Sequence, residues 1–178
     1  MKRKLLGLTT CVLFVCSVAL SPVAFANPQG SVYKLKQAGI QVTVPSGWEV
    51  ETEANGATFS KKEKQDSFAI ASLTTIEGDG GMSLDDIFKA AWQGAVESMK
   101  GDLKNFQKVG NAEKGDQNGI PVMTQAFSGV QNGLQMVGVL CVMKANRPTM
   151  LMIYGTAKSS ASFDKEFDKL MDSIRKIQ

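Results

Sequence analysis

Residues 120–157 decide the fold, and they read IPVMTQAFSGVQNGLQMVGVLCVMKANRPTMLMIYGTA. Three apolar segments with the composition of strands, 120–131, 134–144 and 149–157, are separated by short polar turns. The first turn is Asn132-Gly133, a dipeptide typical of two-residue hairpin loops, because both residues adopt positive φ with little strain. The stretch therefore predicts a meander of three antiparallel strands.

The same turn predicts which side chains share a face of the sheet. If Asn132-Gly133 is the whole loop, Gln131 pairs with Leu134 and the alternation of side chains follows for both strands. One face then carries Met123, Phe127, Leu140 and Val142, and the other carries Val122, Ala126, Val139, Cys141 and Met143. Both faces are apolar, so other parts of the chain must cover both of them.

The segments outside the meander supply that cover. Their composition predicts further strands at 32–36, 40–44, 48–51, 57–60, 68–76 and 106–113, with a hairpin turn at Asn55-Gly56. A helix is predicted to begin after Ser83 and to end at Gly101, because Ser83 and Asp86 resemble a capping box. A second helix is predicted over 163–177 from its apolar spacing. These elements predict an α+β fold in which one antiparallel sheet has helices packed on both faces, an α/β/α sandwich.

This order of elements resembles the PsbP-like and DcrB-like superfamily of small secreted domains. The likeness is carried by Tyr33, by the stretch GIQVTVPSGW from Gly39 to Trp48, and by the strand at 151–154 that runs into a helix rich in Ser, Phe and Asp. The resemblance implies a PsbP-like fold and a non-enzymatic accessory, assembly or effector-loading role. It implies no catalytic residues, because members of the superfamily share none.

The first 26 residues have the layout of a secretory signal peptide. A basic start, Met1 to Lys4, precedes an apolar run, and Ala24-Phe25-Ala26 is a small-x-small cleavage site. We expect cleavage after Ala26, which leaves a single domain at 27–178 in the periplasm or outside the cell. A lipoprotein is the disfavoured alternative, because the residues before Cys11 form a poor lipobox.

Charge and composition exclude several function classes. The sequence has 20 basic and 17 acidic residues, and the predicted signal peptide removes Lys2, Arg3 and Lys4, which leaves 17 of each. A neutral domain lacks the electrostatic footprint of a nucleic-acid-binding protein, and we expect no membrane insertion after cleavage. The chain has no histidine, which removes Ser-His-Asp and Cys-His triads and most zinc sites. We therefore expect a protein that is not an enzyme and has no cofactor.

Two short motifs have a chemical and a structural interpretation. The adjacent Asp85 and Asp86 could serve a hydrolase that works through carboxylates, but acids in a first helical turn are also favoured by the helix dipole. The glycines of the segment from Gly78 to Gly81 resemble an anion-binding loop, yet no Gly-Lys-Ser/Thr follows, so a flexible connector is favoured.

Four sulfur-containing residues suggest a soft-metal site. If the last hairpin loop has four residues, Ala145 to Pro148, then Met143 pairs with Met150 and Cys141 with Met152. All four side chains would share one face and would suit Cu(I) in a carrier. The structural alternative, which we favour, is that these residues fill the core.

Two tryptophans are candidate partner contacts. Trp48 follows a turn and Trp92 lies at the margin of the apolar face of its helix. Partly exposed tryptophans are common at interfaces, but they also close the edges of cores. The leading function is a secreted or periplasmic accessory protein that docks on an envelope protein or a small ligand. A His-free carboxylate hydrolase and a Cu(I) carrier remain as alternatives.

Overall fold

A computed structural model describes residues 30–64, 67–76 and 81–177. The predicted signal peptide and its cleavage site lie outside the described residues, as does most of the glycine-rich segment before the first helix. In chain order the elements are β1 Ser31–Leu35, β2 Ile40–Val44, β3 Glu49–Glu53, β4 Gly56–Lys64, β5 Ser67–Thr75, α1 Leu84–Met99, β6 Lys104–Gln117, β7 Ile120–Gln131, β8 Leu134–Lys144, β9 Pro148–Thr156, a 3₁₀ turn Ala157–Ser159, α2 Ser160–Ser173 and β10 Arg175–Lys176.

The described strands form two antiparallel sheets, where the sequence predicts one. The larger sheet has the order β3-β4-β5-β9-β8-β7-β6, and the smaller has the order β1-β2-β10. The chain leaves the smaller sheet at Pro45-Ser46-Gly47, where Gly47 adopts a φ of 80° that glycine tolerates without strain. The α+β class and the antiparallel pairing are confirmed, and the division into two sheets is the correction.

The predicted meander is confirmed residue by residue at its first hairpin. Asn132 and Gly133 have φ values of 50° and 80°, and Gln131 pairs with Leu134. Val122 then pairs with Met143, and Met123 with Val142, as the predicted faces require. The hairpin between β3 and β4 differs in detail, because Glu53 pairs with Gly56 and the loop residues are Ala54 and Asn55.

The buried apolar residues form two clusters that use opposite faces of β8. The first cluster contains Cys141 and Met143 of β8, the β1–β2 hairpin, Trp48 and the end of α2. The second contains Leu140 and Val142 of β8 together with the buried face of α1. Successive strand residues point to opposite faces, so the clusters lie on the two sides of the larger sheet.

The C-terminal segment is not helical to its end as predicted. Helix α2 ends at Ser173, and Arg175–Lys176 form the short strand β10 beside β2. The amide of Ile177 donates to the carbonyl of Gly39 at 2.8 Å, and the side chain of Ile174 is fully buried. Apolar spacing at Ile174 and Ile177 is compatible with a longer helix, but the open edge of β2 supplies hydrogen bonds that a frayed helix end would lack.

We predict that the tight contact between β7, β8 and β9 makes Gly138 intolerant of any side chain. A Cβ at this position would collide with the Phe127 ring and lie 2.6 Å from the Ile153 carbonyl oxygen. The collision could be relieved only by moving the backbone of β9, which would disturb the pairing of the strands. Gly138→Ala should lower the free energy of unfolding by about 1–3 kcal/mol, measured by urea denaturation.

The matched control is Gly94→Ala in α1, where a new Cβ meets nothing within 4 Å. This substitution should raise the free energy of unfolding by up to about 1 kcal/mol, because alanine is the better helix former. Equal denaturation midpoints for Gly138→Ala and the unsubstituted protein would contradict the tight packing around Gly138.

Candidate functional site

The candidate site is a basic pocket between the smaller sheet and the β6–β7 turn. It is a depression of about 560 Å³ that is open to solvent, and it is lined by Lys34, Gln41, Asn118, Arg175, Lys176 and Ile177. We call these six residues the basic pocket. Three of them are cations and none is a carboxylate.

Strand pairing in the smaller sheet places two of the cations in one row. Lys34 of β1 pairs with Gln41 of β2, and Gln41 pairs with Arg175 of β10. Residues directly opposite one another in antiparallel strands project from the same face. Lys34, Gln41 and Arg175 therefore project together, on the face of β2 opposite to the buried Ile40 and Val42.

The Asn118-Gly119 turn forms the other wall of the basic pocket. Its two residues have φ values of 54° and 79°, and the Asp116 carboxylate accepts a hydrogen bond from the Gly119 amide at 2.7 Å. The Asn118 side-chain amide donates to the Ile174 carbonyl at 2.9 Å, where α2 has just ended. This bond joins the β6–β7 turn to the C-terminal segment and so holds the two walls together.

The cations of the basic pocket are not neutralised by the described part of the chain. Within residues 30–64, 67–76 and 81–177, no ion pair includes Lys34, Arg175 or Lys176. Lysines elsewhere do pair, for example Lys114 with Asp85 at 2.6 Å. The Arg175 guanidinium is held by Nη1, which donates to the carbonyls of Asp172 and of Ile174, the latter at 2.8 Å. This arrangement can bind an anion.

Sequence reasoning does not find the basic pocket. Lys34, Asn118 and Arg175 are far apart in the chain, and the segment containing Arg175 is predicted to be helical. The Asn118-Gly119 dipeptide is the one part of the pocket that the sequence singles out, and it predicts a turn without any role in binding. The strand pairing of β10 with β2 is what brings these residues together.

The pairing predicted for the soft-metal site is wrong. Lys144 pairs with Pro148, so the loop between β8 and β9 has three residues and not four. Cys141 therefore pairs with Leu151, and Met143 pairs with Thr149. A shift of one residue in register moves every side chain of a strand to the other face.

As a result, the four sulfur-containing residues are divided between the two core clusters. Cys141 and Met143 belong to the first cluster, whereas Met150 and Met152 pack in the second. The larger sheet lies between the two pairs of side chains. Packing in the core explains the positions of all four. Among the described residues, no group of three or more His, Cys, Asp or Glu side chains could hold a metal ion.

Trp48 lies at the edge of the core, and its side chain is too buried for the partner contact that the sequence suggested. Its side chain is only 5% exposed, and its indole N–H donates to Glu166 Oε2 at 3.3 Å. Glu166 also lies 3.5 Å from Lys169 Nζ and 3.9 Å from Lys61 Nζ. The tryptophan therefore ties the start of β3 to α2 and has little surface to offer a partner.

Trp92 is half-buried and lies in a row of aromatic rings. Its ring centroid is 6.5 Å from that of Phe88 and 5.4 Å from that of Phe106, and Lys108 Nζ lies 4.9 Å from the ring. These contacts join α1 to the edge strand β6. The role of Trp92 as a partner contact stays a prediction.

The two acids at the start of α1 have structural partners. Ser83 is the N-cap, its hydroxyl accepts from the Asp86 amide at 3.2 Å, and it donates to the Asp86 carboxylate at 2.6 Å. Asp85 pairs with Lys114 of β6. Ser83 is confirmed as the N-cap, but Asp86 accepts from the Ser83 hydroxyl and not from the Ser83 backbone amide that a full capping box would use.

The large apolar residues exposed on the described surface are scattered. They are Val32 in β1, Met82 before α1 and Val109 in β6. Single exposed apolar residues are normal and do not define a docking surface. Neither described helix has the length and the apolar run needed to cross a bilayer.

Comparison with known proteins supports the fold. No family model matches the sequence, and no curated protein matches it. Among solved structures, the chain is similar to cyanobacterial PsbP (CyanoP) from Synechocystis sp. PCC 6803, with a TM-score of 0.60 and 15% identity over 89% of this chain and 97% of that one. The predicted PsbP-like fold is therefore confirmed.

A protein of Bacteroides thetaiotaomicron is also similar in structure, with a TM-score of 0.52 and 11% identity. The alignment covers 84% of this chain and 49% of that one, so this chain spans about half the length of that protein. At these identities the similarity shows the fold and carries no residue role.

We predict that Cys141 is chemically inert while the protein is folded. Burial raises the pKa of its thiol to about 12, so the reactive thiolate is scarce near neutral pH. The 27–178 chain should not react with Ellman's reagent at pH 8, and it should release one thiol equivalent in guanidinium. Fast labelling of the folded chain would contradict the burial of Cys141.

The raised pKa of Cys141 also determines how the free energy of unfolding changes with pH. Above the thiol pKa of the unfolded chain, near 9, the unfolded state loses this proton and the folded state retains it. The thiol's contribution to stability is therefore complete below pH 9 and is lost as the pH rises toward 12. Cys141→Ala should lessen the fall in the free energy of unfolding over that range, measured by denaturation at fixed pH values.

We predict that the methionines do not bind Cu(I). The variant with Met143, Met150 and Met152 all replaced by leucine should have the same Cu(I) affinity as the unsubstituted chain, measured by competition with a chromogenic chelator. The reason is that Met143 lies on the face of the sheet opposite to Met150 and Met152. A tenfold or greater loss of affinity in this variant would restore the carrier hypothesis.

Proposed function

We propose that this protein is a secreted or periplasmic accessory protein that binds a small ligand or an envelope protein partner through its basic pocket. The observation that carries the proposal is the lining of the basic pocket, which includes Lys34, Arg175 and Lys176 and no carboxylate. Lys34, Arg175 and Lys176 are exposed to solvent. An anionic partner bound among them would gain attraction from several positive charges at once.

The proposal includes the predicted location and organisation of the chain. The signal peptide at 1–26 directs export, and cleavage after Ala26 leaves one domain at 27–178. We also infer a three-layer architecture, with α1 as one outer layer and with α2 and the smaller sheet as the other. The membership of the two core clusters supports this inference.

A non-enzymatic role fits the basic pocket better than hydrolysis by carboxylates. A glycosidase-type mechanism needs two carboxyl groups about 5–10 Å apart across a cleft. The lining of the basic pocket provides cations and amides that can bind an anion, and it includes no carboxyl group. The similarity to cyanobacterial PsbP concerns the fold and is compatible with an accessory role.

Native mass spectrometry of the protein purified without denaturant from its own envelope fraction tests the proposal. We expect the mass of the 27–178 chain together with a bound ligand or partner. The double variant Lys34→Gln/Lys176→Gln should lose that bound species. The control Lys89→Gln/Lys165→Gln removes the same charge from exposed positions on α1 and α2 and should retain it.

Two results would contradict the proposal. One is a bound species that stays with the Lys34→Gln/Lys176→Gln variant as firmly as with the control, because binding would then lie elsewhere. The other is a mass spectrum without a bound ligand or partner for the unsubstituted chain, the double variant and the control alike.

A further inference from the structure

We infer that the basic pocket recognises a phosphoryl group carried by a polar molecule, an inference that rests on the proposed function. The charge of the pocket is the first argument. Lys34, Arg175 and Lys176 contribute three positive charges, and the described residues provide no ion pair for any of them. A phosphate monoester carries about −1.5 to −2 at pH 7, whereas a carboxylate carries only one negative charge. A phosphoryl group therefore neutralises more of the pocket's positive charge than a carboxylate does.

The donor geometry is the second argument. The Nη1 atom of Arg175 already donates to the backbone at the end of α2, which fixes the orientation of the guanidinium plane. The N–H groups on Nη2 and Nε make no hydrogen bond within the described residues, so they can donate to two oxygens of one anion. Arginine forms such paired hydrogen bonds with phosphate, and lysine ammonium groups act beside it as point charges.

The size and polarity of the basic pocket limit the rest of the ligand. Its volume of about 560 Å³ lies in the range of small-molecule sites, and it exceeds what a single phosphate ion would fill. Of its six lining residues, only Ile177 is apolar. The group attached to the phosphoryl is therefore polar, as in a sugar phosphate or a lipid headgroup.

Ligand binding and docking of the C-terminal strand are coupled in this arrangement. Arg175 and Lys176 both belong to the two-residue strand β10. Docking of β10 on β2 places Arg175 in the row with Gln41 and Lys34, whereas Lys176 pairs with Ile40. An anion that binds only when β10 is docked stabilises the docked strand. The amide of Ile177, which donates to the Gly39 carbonyl, reports on this docking through its exchange with solvent.

Titration calorimetry on the 27–178 chain tests the inference with inorganic phosphate, pyrophosphate and glucose 6-phosphate, and with glucose as the neutral control. We expect at least one phosphate probe to bind, glucose not to bind, and Ile177 to exchange more slowly when the probe is present. Lys34→Gln/Lys176→Gln should weaken binding by about tenfold or more, as expected when charge-assisted hydrogen bonds are lost. Lys89→Gln/Lys165→Gln should bind like the unsubstituted chain.

A vesicle arm separates the two sources of the phosphoryl group. Flotation with vesicles that contain phosphatidic acid, whose headgroup is a phosphate monoester, measures headgroup binding, and phosphatidylcholine vesicles are the zwitterionic control. Binding to phosphatidic acid that requires Lys34 and Lys176, without binding of the soluble probes, supports the inference and assigns the lipid headgroup. Thermal melts of both double variants confirm that they fold, since surface substitutions of this kind change stability by about 0.5 kcal/mol or less.

Three results would overturn the inference: no binding of any phosphate probe or vesicle, equal loss of binding in both double variants, or glucose binding as well as glucose 6-phosphate. If the phosphates fail while a species in the native mass spectrum still depends on Lys34 and Lys176, only the ligand class is wrong. If that species does not depend on these lysines, the proposed function itself fails.

Discussion

Burial of strand β8 on both faces is the constraint on which the rest of the structure depends. Met136, Leu140 and Val142 on one face, and Cys141 and Met143 on the other, have no solvent exposure. A strand of this kind is stable only when both sides of its sheet are covered. The buried residues of one face cluster with those of α1, and the buried residues of the other face cluster with those of the β1–β2 hairpin and the end of α2. The remaining strands extend the sheet beneath that cover.

The β8–β9 loop shows how a tertiary contact decides which side chains share a face of the sheet. The amide of Asn146 donates to the Ala38 carbonyl at 3.1 Å, and its side chain packs against Gly39, where a Cβ would collide with it. This docking on the β1–β2 turn accompanies a three-residue loop, and loop length fixes the strand register. The register in turn separates two pairs of sulfur-containing residues that a four-residue loop would have united.

The basic pocket arises where covering elements meet, and not on the sheet that dominates the core. It uses both strands of the N-terminal hairpin, the tip of the β6–β7 hairpin and the last residues after α2. Such positions carry little of the core packing, so their charges are free to serve binding. A chain whose formal net charge is only +3 can thus present a local positive site, because net charge says nothing about how charges are arranged.

The sequence by itself determined the order of the main strands and helices along the chain, both hairpin faces around Asn132-Gly133 and the start of α1 at Ser83, because these depend on local periodicity and turn chemistry. The PsbP-like fold was expected from the family resemblance of the sequence, which the stretch from Gly39 to Trp48 carries. The absence of histidine likewise excluded every mechanism that needs an imidazole, since composition alone decides which side chains a site can use. Only the tertiary structure decided the β8–β9 register, the burial of Trp48 and the conversion of the predicted helix end into β10. Each of these depends on a hydrogen bond or a contact between segments distant in the chain, which local pattern cannot encode.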